Sequence, residues 1–216
     1  MARFTNQAQL RYGNAVTNSN IAVGEILEVL SATKTAVRNT YGQSDTVTYI
    51  VSIVNSGTTP ITGISVTDNL GEYTFGTTTL VPLTYIDGTV KYYVDGVLQP
   101  SAVVTAGPPL VVSGITVPAG GSVTVAYEAA VNEFAPLDTT SVINNTAIVA
   151  GTGITPITAE EEITVESTPV LTITKSVSPV PVTENGTLTY TFLIQNSGNV
   201  AADASTGVVV TDVFDP

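Results

Sequence analysis

The chain reads "TYIVSIVNSG" from Thr48 to Gly57 and "TYTFLIQNSG" from Thr189 to Gly198. In each run, β-branched and aromatic residues lead into an Asn-Ser-Gly turn signal, the pattern of a strand that ends at a sharp bend. The repetition extends outward. Tyr49 and Tyr190 stand 141 residues apart (190 − 49), as do Lys34 and Lys175 (175 − 34). "LSATKTAV" answers "LTITKSVS", and "ISVTDNL" answers "VVVTDVF" after a small insertion. At the amino terminus, "FTNQAQLRYG" (4–13) parallels "INNTAIVAG" (143–151) and sets Asn6 against Asn145. A repeat of this length is domain-sized and indicates a string of related domains.

Short apolar–polar runs separated by "NSG", "DG", "PAGG" and "GTG" predict strands from 4–12 and 22–29 through 30–37, 46–54, 62–68 and 141–149 to 170–177, 187–195 and 207–213. The stretch "TYIDGTVKYYVDGV" predicts a hairpin turning at Asp87-Gly88. No amphipathic helix stands out. The expected fold is all-β, an immunoglobulin-like Greek-key β-sandwich. The repeat frame divides the chain into closing strands at 1–29, one complete domain at 30–167 and opening strands of a second, incomplete domain at 168–216. An unfinished sandwich leaves an apolar face and unpaired edges, which proteins hide by pairing with another chain.

Composition narrows the function classes. The 216 residues carry a net charge of -12 and no Cys, His or Trp. Such acidity argues against nucleic acid or an anionic membrane surface as partner, because both call for basic patches. Without His or Cys there is no ordinary nucleophile–base pair and no zinc site. No phosphate loop occurs, and Glu160–Glu162 lack the spaced oxygens and Gly turn of a calcium loop, so they read as a solvated strand end. No cofactor or metal is expected. "MARFTNQAQL" lacks the apolar stretch of a secretory signal, and no apolar run is long enough to span a membrane. The expectation is a chain that stays in its cytoplasm, leaves by lysis or a leaderless route, or is already processed.

The signature "LTITKSVS…GTLTYTFLIQNSGN…VVVTD" and its first copy resemble the repeat family catalogued as domain of unknown function eleven. The match covers about 30–70 and 171–212, with 141–149 and 4–12 as the closing Asn-x-Ala strand. The resemblance implies immunoglobulin-like sandwiches of bacterial and archaeal surface proteins. Leaderless members resemble subunits of endospore appendages released by mother-cell lysis. The function so implied is structural: a non-enzymatic, self-assembling subunit of a surface fibre, polymerising head-to-tail with copies of itself by strand sharing. The alternative is a stalk or spacer repeat of a larger adhesin.

One constellation points to chemistry. Side chains alternate along a strand, so Lys34 shares the apolar face of Leu30 and Ala32, and Lys175 that of Leu171 and Ile173. Asp68 sits likewise with Ile64 and Val66, and Asp212 with Val208, Val210 and Phe214. Asn145 shares parity with Ile143, Ala147 and Val149, and Asn6 with Phe4, Ala8 and Leu10. Each of these polar groups is costly to bury alone. Together they suggest an isopeptide cross-link, Lys34 to Asn145 within a domain and Lys175 to Asn6 between subunits, with Asp68 and Asp212 as proton shuttles. The competing reading is a buried Lys–Asp ion pair beside a hydrogen-bonded Asn, or a lysine that snorkels to the edge. Asn55 and Asn196 of the two "NSG" sequences read as turn formers.

Overall fold

In the computed structural model, residues 2–26, 29–100, 102–202, 205 and 207–213 are described. Phe214, and residues 27 and 28 of the expected strand 22–29, lie outside them. The first strands are β1 (Ala2–Asn6), β2 (Gln9–Tyr12), β3 (Ala15–Asn18) and β4 (Ala22–Ile26). They form two ladders, β1 with β4 and β2 with β3, the second exposed throughout. The expected strand 4–12 therefore breaks after Asn6, and the pairing slips by one residue between Asn6↔Ala22 and Gln9↔Asn18.

The sandwich begins with β5 (Leu30–Ala36), β6 (Thr40–Tyr41), β7 (Thr46–Asn55) and β8 (Ile61–Asp68). A peripheral set follows: β9 (Tyr73–Phe75), β10 (Thr78–Leu80), β11 (Leu83–Tyr85), β12 (Lys91–Val94), β13 (Val97–Leu98) and β14 (Val103–Thr105). The long strands β15 (Leu110–Val117), β16 (Ser122–Val131), β17 (Val142–Ala150) and β18 (Ile157–Val165) close it. One sheet runs β13-β12-β16-β7-β5, with β11 also on β16, and the other runs β14-β15-β8-β17-β18-β6. Period-two alternation decides which side is buried: β16 turns Val123, Val125, Tyr127, Ala129 and Val131 inward. Tyr49, Val51 and Ile53 of β7 and Ile64, Val66, Ile143 and Val149 of the facing sheet complete the core. Parallel pairing occurs only between β18 and β6 among the described strands. The protein is an all-β sandwich.

The expected hairpin at Asp87-Gly88 does not form. Both β11 and β12 pair antiparallel with β16, Tyr85 opposite Ala129 and Lys91 opposite Ala126, so the Asp87-Gly88 turn interrupts one continuous edge. The chain reverses instead at Asp95-Gly96, between Val94↔Val97. There both φ angles are positive, 48° and 79°, as a two-residue turn with the right twist requires.

Asn55 is a turn former, as its "NSG" setting suggests. Fully buried, it donates from Nδ2 to the carbonyls of Thr59 (2.8 Å), Pro118 (3.0 Å) and Val117 (3.4 Å), and accepts from the Gly57 amide (3.0 Å). Asn55→Ala takes this donor from the buried Val117 carbonyl and the part-buried carbonyls of Thr59 and Pro118, and should cost about 2 kcal/mol in a denaturant melt, since a buried unsatisfied group carries a penalty of about 1–3 kcal/mol. Asn196 makes the same pair of turn bonds, to Val200 (2.7 Å) and from Gly198 (3.0 Å), but is exposed. Asn196→Ala should therefore cost less than about 1 kcal/mol, because water replaces the lost partner.

The last two described strands are β19 (Leu171–Ser178) and β20 (Thr189–Asn196), which among the described residues pair only with each other. Their register repeats that of β5 and β7 throughout. Leu171 faces Asn196 and Val177 faces Tyr190, just as Leu30 faces Asn55 and Ala36 faces Tyr49. Among the described residues no facing sheet covers this hairpin, so Leu171, Ile173, Phe192 and Ile194, which share the face of Lys175, stay exposed. The expected strand 207–213 joins no ladder. Its counterpart β8 is held from both sides by β15 and β17, and no such neighbours flank 207–213 among the described residues.

Candidate cross-linking site

Lys34 lies on β5 and points between the sheets. Asp68, the last residue of β8, and Asn145 on β17 come from the opposite layer, with Ala147 paired directly to Asp68. All three are buried, at 4%, 1% and 0% exposure, which separates them from every ordinary surface polar group. Lys34 Nζ donates to Asp68 Oδ2 at 2.6 Å. The other carboxylate oxygen, Oδ1, accepts from the Leu70 amide at 3.0 Å, a bond that fixes the carboxylate plane.

Tyr127 completes the group. Its hydroxyl donates to Asp68 Oδ2 and accepts from Asn145 Nδ2 at 3.3 Å. Lysine, aspartate, phenol and amide thus form one buried chain of hydrogen bonds. Tyr127 is not among the candidate residues that strand parity and the repeat pick out. The available signal was a phenol placed among Val123, Val125, Ala129 and Val131 on a fully buried face, where a hydroxyl needs a partner. Tyr49 stacks on Tyr127 with ring centroids 5.7 Å apart, and Lys34 Nζ lies 4.9 Å from the Tyr49 ring centre.

The electrostatics favour a reactive amine. Burial pulls Lys34 down from its ordinary value near 10.5 to about 8, with the Asp68 carboxylate opposing the shift. Burial pushes the Tyr127 phenol well up, and the adjacent Asp68 charge adds to it, so Tyr127 stays a neutral donor. Desolvation also raises Tyr49, with its neighbour Asn145 opposing. Two buried polar atoms here, Asn145 Oδ1 and the Tyr49 hydroxyl, meet no hydrogen-bond partner among the described residues. Burying an unpaired amide oxygen is costly, so Asn145 Oδ1 is an acceptor held ready for a donor.

Glu161 requires a correction. Expected on a solvated strand end with Glu160 and Glu162, it lies directly opposite Asn145 and is half-buried, while its two neighbours are exposed. It stands two positions from both Ala159 and Ile163, so strand alternation turns all three inward. Its charge acts on Lys34 and Tyr49.

The second copy is assembled but open. Lys175 Nζ contacts Asp212 Oδ1 at 2.7 Å and Oδ2 at 2.9 Å, and lies 4.6 Å from the Tyr190 ring centre and 5.5 Å from that of Phe192. Its side chains keep 40% and 35% of their exposure, whereas the apolar parity had suggested burial. The difference follows from the missing second layer over β19 and β20. Asn6 sits exposed at the end of β1, in a hairpin separate from both lysines. Among the described residues, no group of three or more acidic side chains is placed to hold a metal ion.

No family model matches the chain. No curated protein matches it either. Among solved structures, the fold is similar to a variant of the major pilin subunit of Bacillus cereus, with TM-score 0.51 and 11% identity over 90% of this chain and 64% of that one. The major pilin SpaD of Corynebacterium diphtheriae gives TM-score 0.47 and 16% identity over 74% of this chain and 40% of that one. The pilus backbone protein of Streptococcus pneumoniae gives TM-score 0.44 and 14% identity over 56% of this chain and 31% of that one. The chain thus spans from about a third to just under two thirds of these pilins. At such identities the likeness is one of fold.

Proposed function

We propose that this chain is a structural, non-enzymatic subunit of a bacterial surface fibre, built by head-to-tail strand sharing between copies. The observation that carries the reading is the β19–β20 hairpin. It has the register of β5–β7 and the same lysine, yet its apolar face is uncovered. A strand or sheet from a neighbouring chain would cover that face and pair its open edges. Contacts between unlike surfaces of identical subunits propagate into filaments unless they close a ring. The pilin fold likeness and the resemblance to surface repeats support an extracellular position, and within it an endospore appendage. A stalk repeat of a longer adhesin is the second reading, favoured by the part-length match to the Bacillus cereus pilin. Electron microscopy of the purified chain tests the choice: fibres are expected, and dispersed single particles at high concentration would overturn the fibre reading.

Within the sandwich, the proposed chemistry joins Lys34 to Asn145. Lys34 Nζ passes a proton to Asp68 Oδ2 and becomes a neutral amine. The amine attacks Cγ of Asn145 while the protonated Asp68 polarises Oδ1, the atom with no other partner. As the Nζ–Cγ bond forms, the Cγ–Nδ2 bond breaks and Asp68 relays a proton to the departing nitrogen, which leaves as ammonia. One proton remains on Asp68, so charge and atoms balance. Tyr127 holds the amide and the carboxylate together throughout.

A further inference from the structure

We propose that the exposed Lys175–Asp212 pair is an acceptor site for residues 2–26 of a second copy of this chain, docking Asn6 against Lys175 and joining the two by an amide bond. This rests on the fibre reading and names its partner, its contact residues and its covalent step.

The amino-terminal hairpin is built like the closing hairpin of the sandwich. In the sandwich, Ile143 faces Ile163 and Asn145 faces Glu161. Shifting both strands by 139 residues (145 − 6 and 161 − 22) gives Phe4 opposite Gly24 and Asn6 opposite Ala22, which is the register of β1 on β4. Phe4 lies so close over Gly24 that a Cβ there would meet its ring, so a glycine opposite the larger Phe4 replaces an isoleucine pair. Phe4 and Leu10, at the positions of the core residues Ile143 and Val149, are 56% and 66% exposed, so the hairpin's core-type face is unused within its own chain. Over Ala2–Asn6 the segment has the register of β17–β18, and no sandwich among the described residues takes it up; the strand breaks after Asn6, so docking along an open sandwich would straighten residues 7–10 into one strand.

The open one lies at residues 171–213. Lys175 and Asp212 already touch, as Lys34 and Asp68 do, and Tyr190 stands at the Tyr49 position. Residues 208–213 match β8 in sequence but belong to no ladder, and Val208 and Val210, which share the parity of Asp212, are exposed. In the sandwich, β17 lies on β8 with Ala147 opposite Asp68 and Val149 opposite Val66. Docked in the same way, Ala8 would lie opposite Asp212 and Leu10 opposite Val210, and Asn6 would take the Asn145 position beside Lys175. The half-site's own asparagines are committed elsewhere. Asn185 holds a left-handed turn, Asn196 the "NSG" turn, and Asn199 donates to the carbonyls of Leu137 and Glu166.

The step matches the one inside the domain: the Lys175 Nζ–Cγ bond of Asn6 forms, Cγ–Nδ2 breaks, Asp212 relays the proton and ammonia leaves. Strand docking supplies the proximity that makes the amide reachable. The described residues of the half-site include no counterpart of Tyr127, and Ala22 replaces the half-buried Glu161, so the cross-link between copies should form more slowly than the one within a domain.

The test uses the purified full chain, incubated at high concentration and then boiled in dodecyl sulfate. A ladder of covalent multimers is expected, each step lighter than the summed chains by one ammonia. Tandem mass spectrometry should find one branched peptide joining Asn6 to Lys175. Asn6→Ala and Lys175→Ala should each run as monomer. Mixed in equal amounts, they should give a covalent dimer and nothing larger, since one supplies only the amide and the other only the amine. Misfolded variants would not complement in this way, so a mixture that stays monomeric overturns the inference. A ladder joined through other residues, including a segment following residue 216 in a longer protein, overturns it too. Fibres that dissolve to monomers would sink the cross-link and spare the fibre reading, whereas an absence of fibres would sink the fibre reading itself.

Discussion

Intact, well-folded protein should weigh one ammonia less than its sequence, and Asn145→Ala should return the mass of each chain to the sequence value expected for an unlinked sandwich. The same substitution should also produce a large loss of stability. A Lys34–Asn145 bond closes a loop of 111 residues (145 − 34) between the first strand of one sheet and a central strand of the other. In the loop-closure picture a cross-link over such a span removes unfolded-state entropy amounting to about 5 kcal/mol. The hydrogen bond from Asn145 to Tyr127 contributes about 1 kcal/mol, so the loop term decides the outcome. A chain without cysteine has no disulfide to provide the same constraint. The measurement pairs intact mass with a guanidinium melt for the two proteins. A folded wild type at its full sequence mass would leave an ion pair and no bond.

Much of this site was legible in the sequence because its information is periodic. Strand alternation alone placed Lys34, Asp68 and Asn145 on apolar faces, and the structure brings all three together. The repeat carried the same reasoning to Lys175 and Asp212, which do meet, but parity reports a face and not what covers it. Burial there depends on a second layer that no local pattern encodes. Tyr127 escaped because its hydrogen bonds cross between sheets, and a phenol in an apolar run reads as packing until its partners are known. The two Asp-Gly turns show the limit of local signals. Asp87-Gly88 and Asp95-Gly96 look alike in sequence, and only the second reverses the chain, because β16 is long enough to pair with the segments on both sides of the first.

Asp68→Ala should cost more than the loss of the cross-link alone. It removes the proton relay, so the mass reverts to the sequence value, and it also strands a buried amine. Breaking one side of a buried ion pair typically costs about 3–5 kcal/mol, because the remaining charge loses its main compensation. Asp68→Ala should therefore unfold about 3–5 kcal/mol more easily than Asn145→Ala, which is also unlinked but keeps the pair. The sign of the pH dependence identifies the cause. Burial already holds Lys34 near 8, and Asp68 is the main group opposing it, so removing Asp68 lowers the amine further. A lysine whose folded pKa lies below its unfolded value binds fewer protons folded than unfolded in the interval between them. Stability therefore rises with pH from below about 8 toward 10.5, at a slope of at most about 1.4 kcal/mol per pH unit. Above about 10 the slope reverses, since unfolded phenols ionise near their ordinary value while Tyr41 is held up to about 12 by burial. Urea melts of Asp68→Ala between about pH 7 and 9 should show the rise. The double variant Lys34→Met with Asp68→Ala should flatten it and regain most of the lost stability, because an apolar side chain costs nothing to leave unpaired. An Asp68→Ala protein as stable as Asn145→Ala and insensitive to pH would mean that the Lys34 amine reaches water, contrary to its burial between the sheets.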